Sequence, residues 1–148
     1  MSLVKYKQKR KFSKTPEPEG KKTSGKGALK FVIQRHAATR LHYDFRLQME
    51  GVLKSWAVPK GIPMKRGEKH LAIHVEDHPM DYANFEGTIP AGNYGAGTVM
   101  VWDTGVYEVS GMDPLTGLKA GKLQKIERRM GVGANQTTIG GKRIMAAV

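Results

Sequence analysis

The stretch Leu41-His42-Tyr43-Asp44-Phe45-Arg46-Leu47-Gln48-Met49-Glu50 decides how this chain folds. Its odd-numbered positions are all apolar, and its even-numbered positions are all polar or charged. Successive side chains of a β-strand point to opposite faces of a sheet, so this complete alternation is typical of a half-buried strand. We therefore predict a strand over 41–50 that carries a row of polar side chains on one face.

The residues after this strand predict its neighbour. Glu50-Gly51 is typical of a tight turn, and residues 52–58 predict a second strand that stops at Pro59. The two strands then form a hairpin.

More strands are predicted further along the chain. Residues 71–75 predict a strand that ends at Asp77-His78-Pro79, and 98–102 with 106–109 predict a hairpin around the turn 103–105. Short strands joined by Gly and Pro turns indicate a mainly β protein, which we expect to be a small antiparallel β-barrel with short helices.

The two ends of the chain have a different composition. Residues 1–30 contain 10 of the 25 Lys and Arg residues but only 2 of the 13 acidic ones, and we predict a flexible, disordered basic arm there. This arm is either a tether for phosphate backbones or a solubilising tail. Residues 31–148 are predicted to be a single domain, in which 122–130 favour a short polar helix and the rest of 122–148 is hard to assign.

Composition limits the class of protein. A chain of 148 residues with a net charge of +12 is expected to have a polyanion as its partner, either nucleic acid or an anionic membrane. The absence of Cys excludes disulfides and thiolate metal sites and suits a cytoplasmic location. No apolar run approaches the roughly 18 residues of a membrane span, so no membrane partner is expected.

The five His residues all lie between 36 and 78. On the predicted strand His42 and Asp44 share a face and lie about 6.6 Å apart, within reach of one metal ion. His36 joins them if the small residues 37–39 bend the chain. Two imidazoles and one carboxylate suit Mn, Fe(II) or Zn. The alternative is that His42 and Asp44 belong to the wet face of an ordinary strand.

Several motifs in a fixed order point to a family. They are His36, residues 42–47 (HYDFRL), 51–61 (GVLKSWAVPKG), 75–79 (VEDHP), Tyr82, 85–90 (FEGTIP), 94–99 (YGAGTV) and Trp102-Asp103. From about residue 31 to 105 the chain resembles the 3′-phosphoesterase domain of bacterial DNA ligase D and its free-standing archaeal homologues.

The resemblance implies a metal-dependent phosphoesterase of non-homologous end joining. Such an enzyme uses Mn²⁺, or Zn²⁺ or another divalent transition metal, on the 3′ ends of DNA or RNA-tipped DNA. It removes a 3′-phosphate or a 3′-terminal ribonucleoside and leaves a 3′-OH. A separate ATP-dependent DNA ligase and a repair polymerase are the further partners implied.

The resemblance also assigns roles to residues. It makes His36, His42 and Asp44 the metal ligands and places Arg46, His78 and Tyr82 around the scissile phosphate, with His78 as proton donor. Gln34, Lys60 and His70 are expected to bind substrate, although many members have Arg in place of His70. The two alternating strands that close the barrel in this family are not recognisable in 123–148.

Two other functions remain open on the residues alone. A site of two His residues and one carboxylate in a small barrel also suits a cupin-type Fe(II) oxygenase. A non-catalytic nucleic-acid-binding module would need only the basic arm. If the arm is only a tether, deleting residues 1–29 should weaken DNA affinity and spare turnover.

Overall fold

The computed structural model describes residues 3–20, 29–63, 69–107, 125–130 and 139–147. The elements in chain order are helix α1 (Val4–Gln8), strands β1 (Lys30–Ala37), β2 (Leu41–Met49), β3 (Val52–Val58) and β4 (Lys69–Pro79), a 3-10 helix (Met80–Asn84), and strands β5 (Gly87–Ile89), β6 (Gly97–Val106), β7 (Lys125–Met130) and β8 (Ile139–Ala147).

The described strands form one eight-stranded sheet in the order β5-β6-β1-β2-β3-β4-β8-β7. All neighbours are antiparallel except β4 and β8, which are parallel. The predicted mainly β class is confirmed. The expected closed barrel is not seen, because among the described residues the edge strands β5 and β7 do not pair. Since β5 has only three residues, it offers few backbone groups for such a pairing.

The alternation in 41–50 predicts β2 correctly, and the predicted second strand matches β3. Glu50 and Gly51 join them with consecutive positive φ angles of 47° and 80°. Positive φ at both central residues is what a two-residue hairpin turn requires, because its backbone then follows the twist of the strands. This turn fixes the register of β2 against β3.

Each face of the sheet carries an apolar cluster. One cluster centres on Phe45, Leu47 and Trp56. The other includes Leu53 and Tyr82 and surrounds polar side chains. On that second face several polar residues are buried as well, including Gln34, Asp44, Arg46 and Gln48. The polar face of β2 is therefore an interior surface, and its interpretation as an ordinary wet face is wrong.

The chain reversal predicted at residues 103–105 does not occur. The residues 103–105 do not make a hairpin, because β6 continues to Val106 along β1. The pairing of β6 with β1 contains one register shift, between Ile33 and Gln34. Thr104 helps to hold this course by donating a hydrogen bond to the Phe31 carbonyl at 3.0 Å. The end of β4 at Pro79 falls within the predicted stop Asp77-His78-Pro79, and His78 lies inside the strand opposite Leu53.

The C-terminal helix expected over 122–130 is also wrong where the structure describes it. Residues 125–130 are strand β7, which pairs with β8, and β8 pairs with β4. Backbone pairing along an existing sheet outweighs a weak preference for helix. Two strands are therefore present at the C-terminal end, although the sequence did not reveal them.

The N-terminal segment 3–20 is ordered against the sheet, which corrects the expected mobile arm over that range. Tyr6 is fully buried and packs against the rings of Phe12, His78 and Tyr82. A buried tyrosine and the ion pairs described below provide the free energy that orders a segment otherwise rich in Lys and Pro. The rest of the predicted arm, apart from 29 and 30, lies outside the described residues.

None of the helices in the described ranges is long and apolar enough to cross a membrane.

Candidate active site

The β1–β2 hairpin brings three candidate ligands together. In its register His36 lies opposite His42, and Gln34 lies opposite Asp44. The chain does bend between Ala37 and Leu41, as the small residues predict. One ligand atom from each of His36, His42 and Asp44 lies within 4.8 Å of the others, so the three can hold one metal ion.

Backbone carbonyls orient both imidazole rings. Nε2 of His36 lies 2.7 Å from the Gly95 carbonyl, and Nδ1 of His42 lies 3.1 Å from the Arg40 carbonyl. Because a carbonyl can only accept, each of these nitrogens carries the proton and donates it. The remaining nitrogen of each ring lies 3.4 Å from a carboxylate oxygen of Asp44. Rings fixed in this way by their second nitrogen are characteristic of metal-binding histidines, so the donor set fits a divalent transition metal.

Asp44 is charged although it is buried. Burial alone would raise the pKa of its carboxyl group, but the charge of the Arg46 guanidinium and the neighbouring His36 and His42 rings outweigh it and hold the pKa well below its usual value. The same carboxylate raises the pKa of His42. Asp44 is therefore an anionic ligand throughout the physiological pH range.

Arg46 is fixed in place and keeps one free donor. Its Nε donates to Oε1 of Gln34 at 2.7 Å, its Nη2 lies 3.5 Å from Asp44, and its Cζ lies 4.8 Å from the centre of the Tyr82 ring. Gln34 in turn donates to the carbonyls of Tyr82 and Phe85. Nη1 is buried and has no hydrogen-bond partner in the described part of the chain. A buried guanidinium N–H without an acceptor indicates that the site is built to bind an anion.

His78 is held as a neutral ring. Its Nδ1 donates to the Glu76 carbonyl at 2.9 Å and lies 3.3 Å from Oγ of Ser55. Nε2 then carries the lone pair, and it lies 3.3 Å from Nη2 of Arg10. Burial, together with the charges of Arg46 and Arg10, lowers the pKa of His78 well below its ordinary value. His78 in this state accepts a hydrogen bond at Nε2, so it needs an added proton before it can act as the predicted proton donor.

The N-terminal segment supplies a second wall of the site. Nε of Arg10 donates to Oε2 of Glu17 at 2.8 Å, and the Tyr82 hydroxyl donates to the same oxygen at 2.8 Å. Nη1 of Arg10 also lies 3.3 Å from Oε1 of Glu76 on β4. Arg10 and Glu17 are both almost completely buried. The segment is thus fastened to β4 and to the 3-10 helix at the point where the predicted phosphate-binding side chains lie.

These side chains enclose a cleft of about 200 Å³. Its lining includes all the predicted metal ligands and the three residues predicted to surround the phosphate, namely His36, His42, Asp44, Arg46, His78 and Tyr82. Arg10 is paired with Glu17 and Glu76, so Nη1 of Arg46, which has no partner among the described residues, and a cation held by His36, His42 and Asp44 are what would attract an anion into the cleft. Such a cavity is suited to a phosphate group.

Three residues expected to bind substrate lie elsewhere. Gln34 is fully buried behind Arg46 and orients it. Lys60 is exposed in the turn after β3, and His70, near the start of β4, lies 2.5 Å from the Gly61 carbonyl. Neither Lys60 nor His70 lines the cleft. Their predicted contact with substrate stays a prediction.

Sequence reasoning missed Arg10, Glu17, Glu76 and Tyr94, all of which line the cleft. Glu76 and Tyr94 stand in the motifs 75–79 and 94–99, but no role was assigned to them. One signal was present, because Tyr6 and Phe12 interrupt a segment that is otherwise basic and polar, and aromatic residues are rare in disordered tails.

The comparison with known families agrees with this geometry. Residues 34–146 match the family described as the DNA Ligase D 3′-phosphoesterase domain. The match covers well over half of the chain, so the chain belongs to this family.

Individual relatives are more than half identical to the chain. It is 54% identical over 123 residues to the multifunctional non-homologous end joining protein LigD of Pseudomonas aeruginosa, which covers 82% of this chain and 14% of that protein. It is 55% identical over 119 residues to the protein of the same name from Mycobacterium bovis, covering 78% of this chain and 16% of that protein. The chain thus spans about a seventh of the length of these relatives.

Proposed function

We propose that this chain is a Mn²⁺-dependent hydrolase that heals the 3′ ends of DNA or RNA-tipped DNA. It would act as a 3′-phosphomonoesterase and a 3′-ribonucleoside phosphodiesterase and leave a 3′-OH for end joining. The observation that carries the proposal is the cluster of His36, His42 and Asp44 beside a buried Arg46 whose Nη1 has no acceptor among the described residues. Membership of the phosphoesterase family supports the same chemistry.

His36, His42 and Asp44 are the residues that would hold the metal. A divalent ion bound there supplies Lewis-acid polarisation of the phosphate and lowers the pKa of bound water. Asp44 brings the negative charge, and the two neutral imidazoles complete a donor set that leaves positions open. Mn²⁺, Zn²⁺ and Fe(II) all accept such a set, and Mn²⁺ is proposed on the resemblance to the family.

Arg46, beside Asp44 on β2, and Arg10, on the N-terminal segment, would bind the phosphate oxygens. Nη1 of Arg46 already lacks an acceptor, so a phosphate oxygen gains a charge-assisted hydrogen bond there without displacing another contact. Hydrogen bonds of this kind strengthen as negative charge develops in the transition state. The Tyr82 ring beneath the guanidinium keeps it from rotating away.

His78 would act at Nε2, the nitrogen that faces Arg10. Burial, together with the charges of Arg46 and Arg10, keeps this ring neutral, and the negative charge of a bound phosphate would offset the two charges. Once protonated, His78 can donate to the departing oxygen, as the resemblance implies. In this proposal, His78 becomes a general acid only when the phosphate of the substrate is bound beside it.

We propose that ligation and polymerisation use the 3′-OH that this chain produces. A separate ATP-dependent DNA ligase and a repair polymerase would use the 3′-OH. A cytoplasmic location stays a prediction. A cupin-type oxygenase is disfavoured, because residues 34–146 match the phosphoesterase family.

The decisive experiment uses two labelled duplexes, one with a 3′-phosphate and one with a 3′-terminal ribonucleotide. Each is incubated with the protein and Mn²⁺, with Fe(II) and ascorbate, or with EDTA, both aerobically and anaerobically, and the products are resolved by length and end group. We expect a 3′-OH product with Mn²⁺ and none with EDTA, independent of oxygen. DNA binding without any end conversion under all conditions would instead support the non-catalytic module.

A further inference from the structure

The cleft is too small to hold a whole nucleotide. Its volume of about 200 Å³ is below the roughly 300–1,000 Å³ of pockets that enclose drug-sized ligands. A metal ion and a phosphate group account for this space. If the proposed function is right, the nucleoside that carries the reacting phosphate must lie outside the cleft, over its rim.

The rim of the cleft carries an exposed aromatic ring. Of the described residues that line the cleft, Tyr94 alone is exposed, at 47%, whereas Tyr82 and His78 are buried. Tyr94 therefore presents a partly exposed aromatic ring at the mouth of a polar cavity, with the cations of Lys9 and Arg10 lying against it. Every nucleobase has a π-face, so an exposed ring next to a phosphate site is suited to stack on a base whatever its identity.

Tyr94 is attached to the metal centre through its neighbour in sequence. The carbonyl of Gly95, the residue that follows Tyr94, accepts the hydrogen bond from His36 at 2.7 Å. Tyr94 is therefore the sequence neighbour of a residue that contacts a proposed metal ligand. Two successive turns, from Asn93 to Pro90 and from Ala96 to Asn93, hold the loop. The ring is positioned before substrate arrives, and stacking on it costs little conformational entropy.

A cation lies against the same ring. Nζ of Lys9 is 4.7 Å from the ring centre of Tyr94 and 3.3 Å from its hydroxyl oxygen, and the Lys9 side chain is 42% exposed. The same Nζ lies 3.2 Å from Oε2 of Glu76, so an ion pair holds Lys9 beside the ring. The rim thus combines the two features that single-stranded nucleic acids need, an aromatic ring and a neighbouring cation.

We propose that Tyr94 is a specificity-determining residue that stacks on the base of the 3′-terminal nucleotide. The proposal rests on the proposed function and adds the subsite for the nucleoside. It predicts that the enzyme distinguishes a terminal nucleotide that has a base from one that has none, without preferring a particular base.

The test compares two 3′-phosphate strands that differ only at the last nucleotide, which carries either a base or a tetrahydrofuran abasic analogue. We expect the wild-type protein to have a KM about tenfold lower for the strand with the base. Tyr94→Leu should raise that KM about tenfold and leave the KM for the abasic strand unchanged. Tyr94→Phe should behave like the wild type, because it keeps the ring.

Trp102→Leu is the matched control, since Trp102 is another exposed aromatic residue but does not line the cleft. Mn²⁺ binding and thermal unfolding should be the same for all variants. Equal KM values of the wild-type protein for the two strands, or an equal loss on both in Tyr94→Leu, would overturn the subsite. Failure of the wild-type protein to release phosphate from either strand would instead overturn the proposed function.

Discussion

The two walls of the cleft are built in different ways. The hairpin wall, which carries the candidate metal ligands, comes from the β1–β2 hairpin. In this hairpin His36, His42 and Asp44 are at most eight residues apart in sequence. The opposite wall comes from the N-terminal segment, where Arg10 and Glu17 contact partners 65 to 68 residues away. A strand register alone sets the first wall, whereas the second exists only when a separate segment docks on the finished sheet.

This difference suggests a division of work. The hairpin wall is rigid because paired strands flank it on both sides, and it positions the metal ligands. The segment wall is held by one buried tyrosine and a few ion pairs, and it supplies charge around the phosphate. Loss of a residue in the first wall should remove the metal, while loss in the second should spare metal binding and impair turnover.

The largest effect is expected for the metal ligands. His42→Ala should lower 3′-phosphate release by more than the 10- to 100-fold typical of outer-shell partners, because it removes one of three proposed ligands. Bound Mn²⁺, measured by metal analysis after dialysis, should fall in parallel. His74→Ala is the control, since this histidine is exposed and packs on Trp56 away from the cleft. Full activity of His42→Ala with Mn²⁺ present would contradict the ligand assignment.

The next effect tests the segment wall. Arg10→Met should lower kcat for 3′-phosphate release about 100-fold at saturating DNA, because Arg10 contacts both Glu17 and His78 in the cleft. Mn²⁺ binding should be unchanged. This replaces the expectation that the N-terminal residues only tether DNA, for which a loss of affinity alone would be seen. Lys7→Ala, an exposed change in the same segment, should have normal kcat.

Arg46 lies on the hairpin wall but is proposed to bind the phosphate. Its replacement should therefore impair turnover and spare metal binding, unlike the loss of a metal ligand on the same wall. Arg46→Lys keeps the charge and loses the planar fork, and we expect a decrease in kcat of about 10- to 100-fold. Metal binding should persist, because the remaining ligands are intact. An unchanged rate in Arg46→Lys would mean that Nη1 does not bind the phosphate.

The smallest effect concerns the pH dependence of segment docking. Burial would raise the pKa of Glu76, but hydrogen bonds and the charges of Lys9 and Arg10 lower it below 4.5. A lowered folded-state pKa stabilises the docked state above pH 4.5, and this stabilisation is lost as the pH falls through the lowered value. Limited proteolysis of 3–20 should therefore accelerate below about pH 4.5. The segment 3–20 of the Glu76→Gln variant should be cleaved faster at neutral pH, and its rate of cleavage should depend less on pH. An unchanged pH profile of cleavage would contradict this role of Glu76.

The sequence predicts the hairpin wall well and the segment wall not at all. Complete alternation over 41–50 sets the strand, its faces and the side on which His42 and Asp44 lie, because these follow from local backbone geometry. The docking of Arg10 depends on Glu76 and His78, which come close only after β4 has joined the sheet. No local pattern encodes such contacts. The same reason explains β7, whose strand conformation depends on pairing with β8.

The direct opposition of His36 and His42 across β1 and β2 has a practical consequence. A slip of one residue in this pairing would turn the side chains of one strand to the other face and separate the imidazoles. A molecule with the wrong pairing therefore has no metal centre, even if it is compact and contains the same amount of strand. If the proposed metal site is right, the number of metal ions bound per chain is a measure of folding quality, and a metal titration can count the correctly assembled fraction of a preparation.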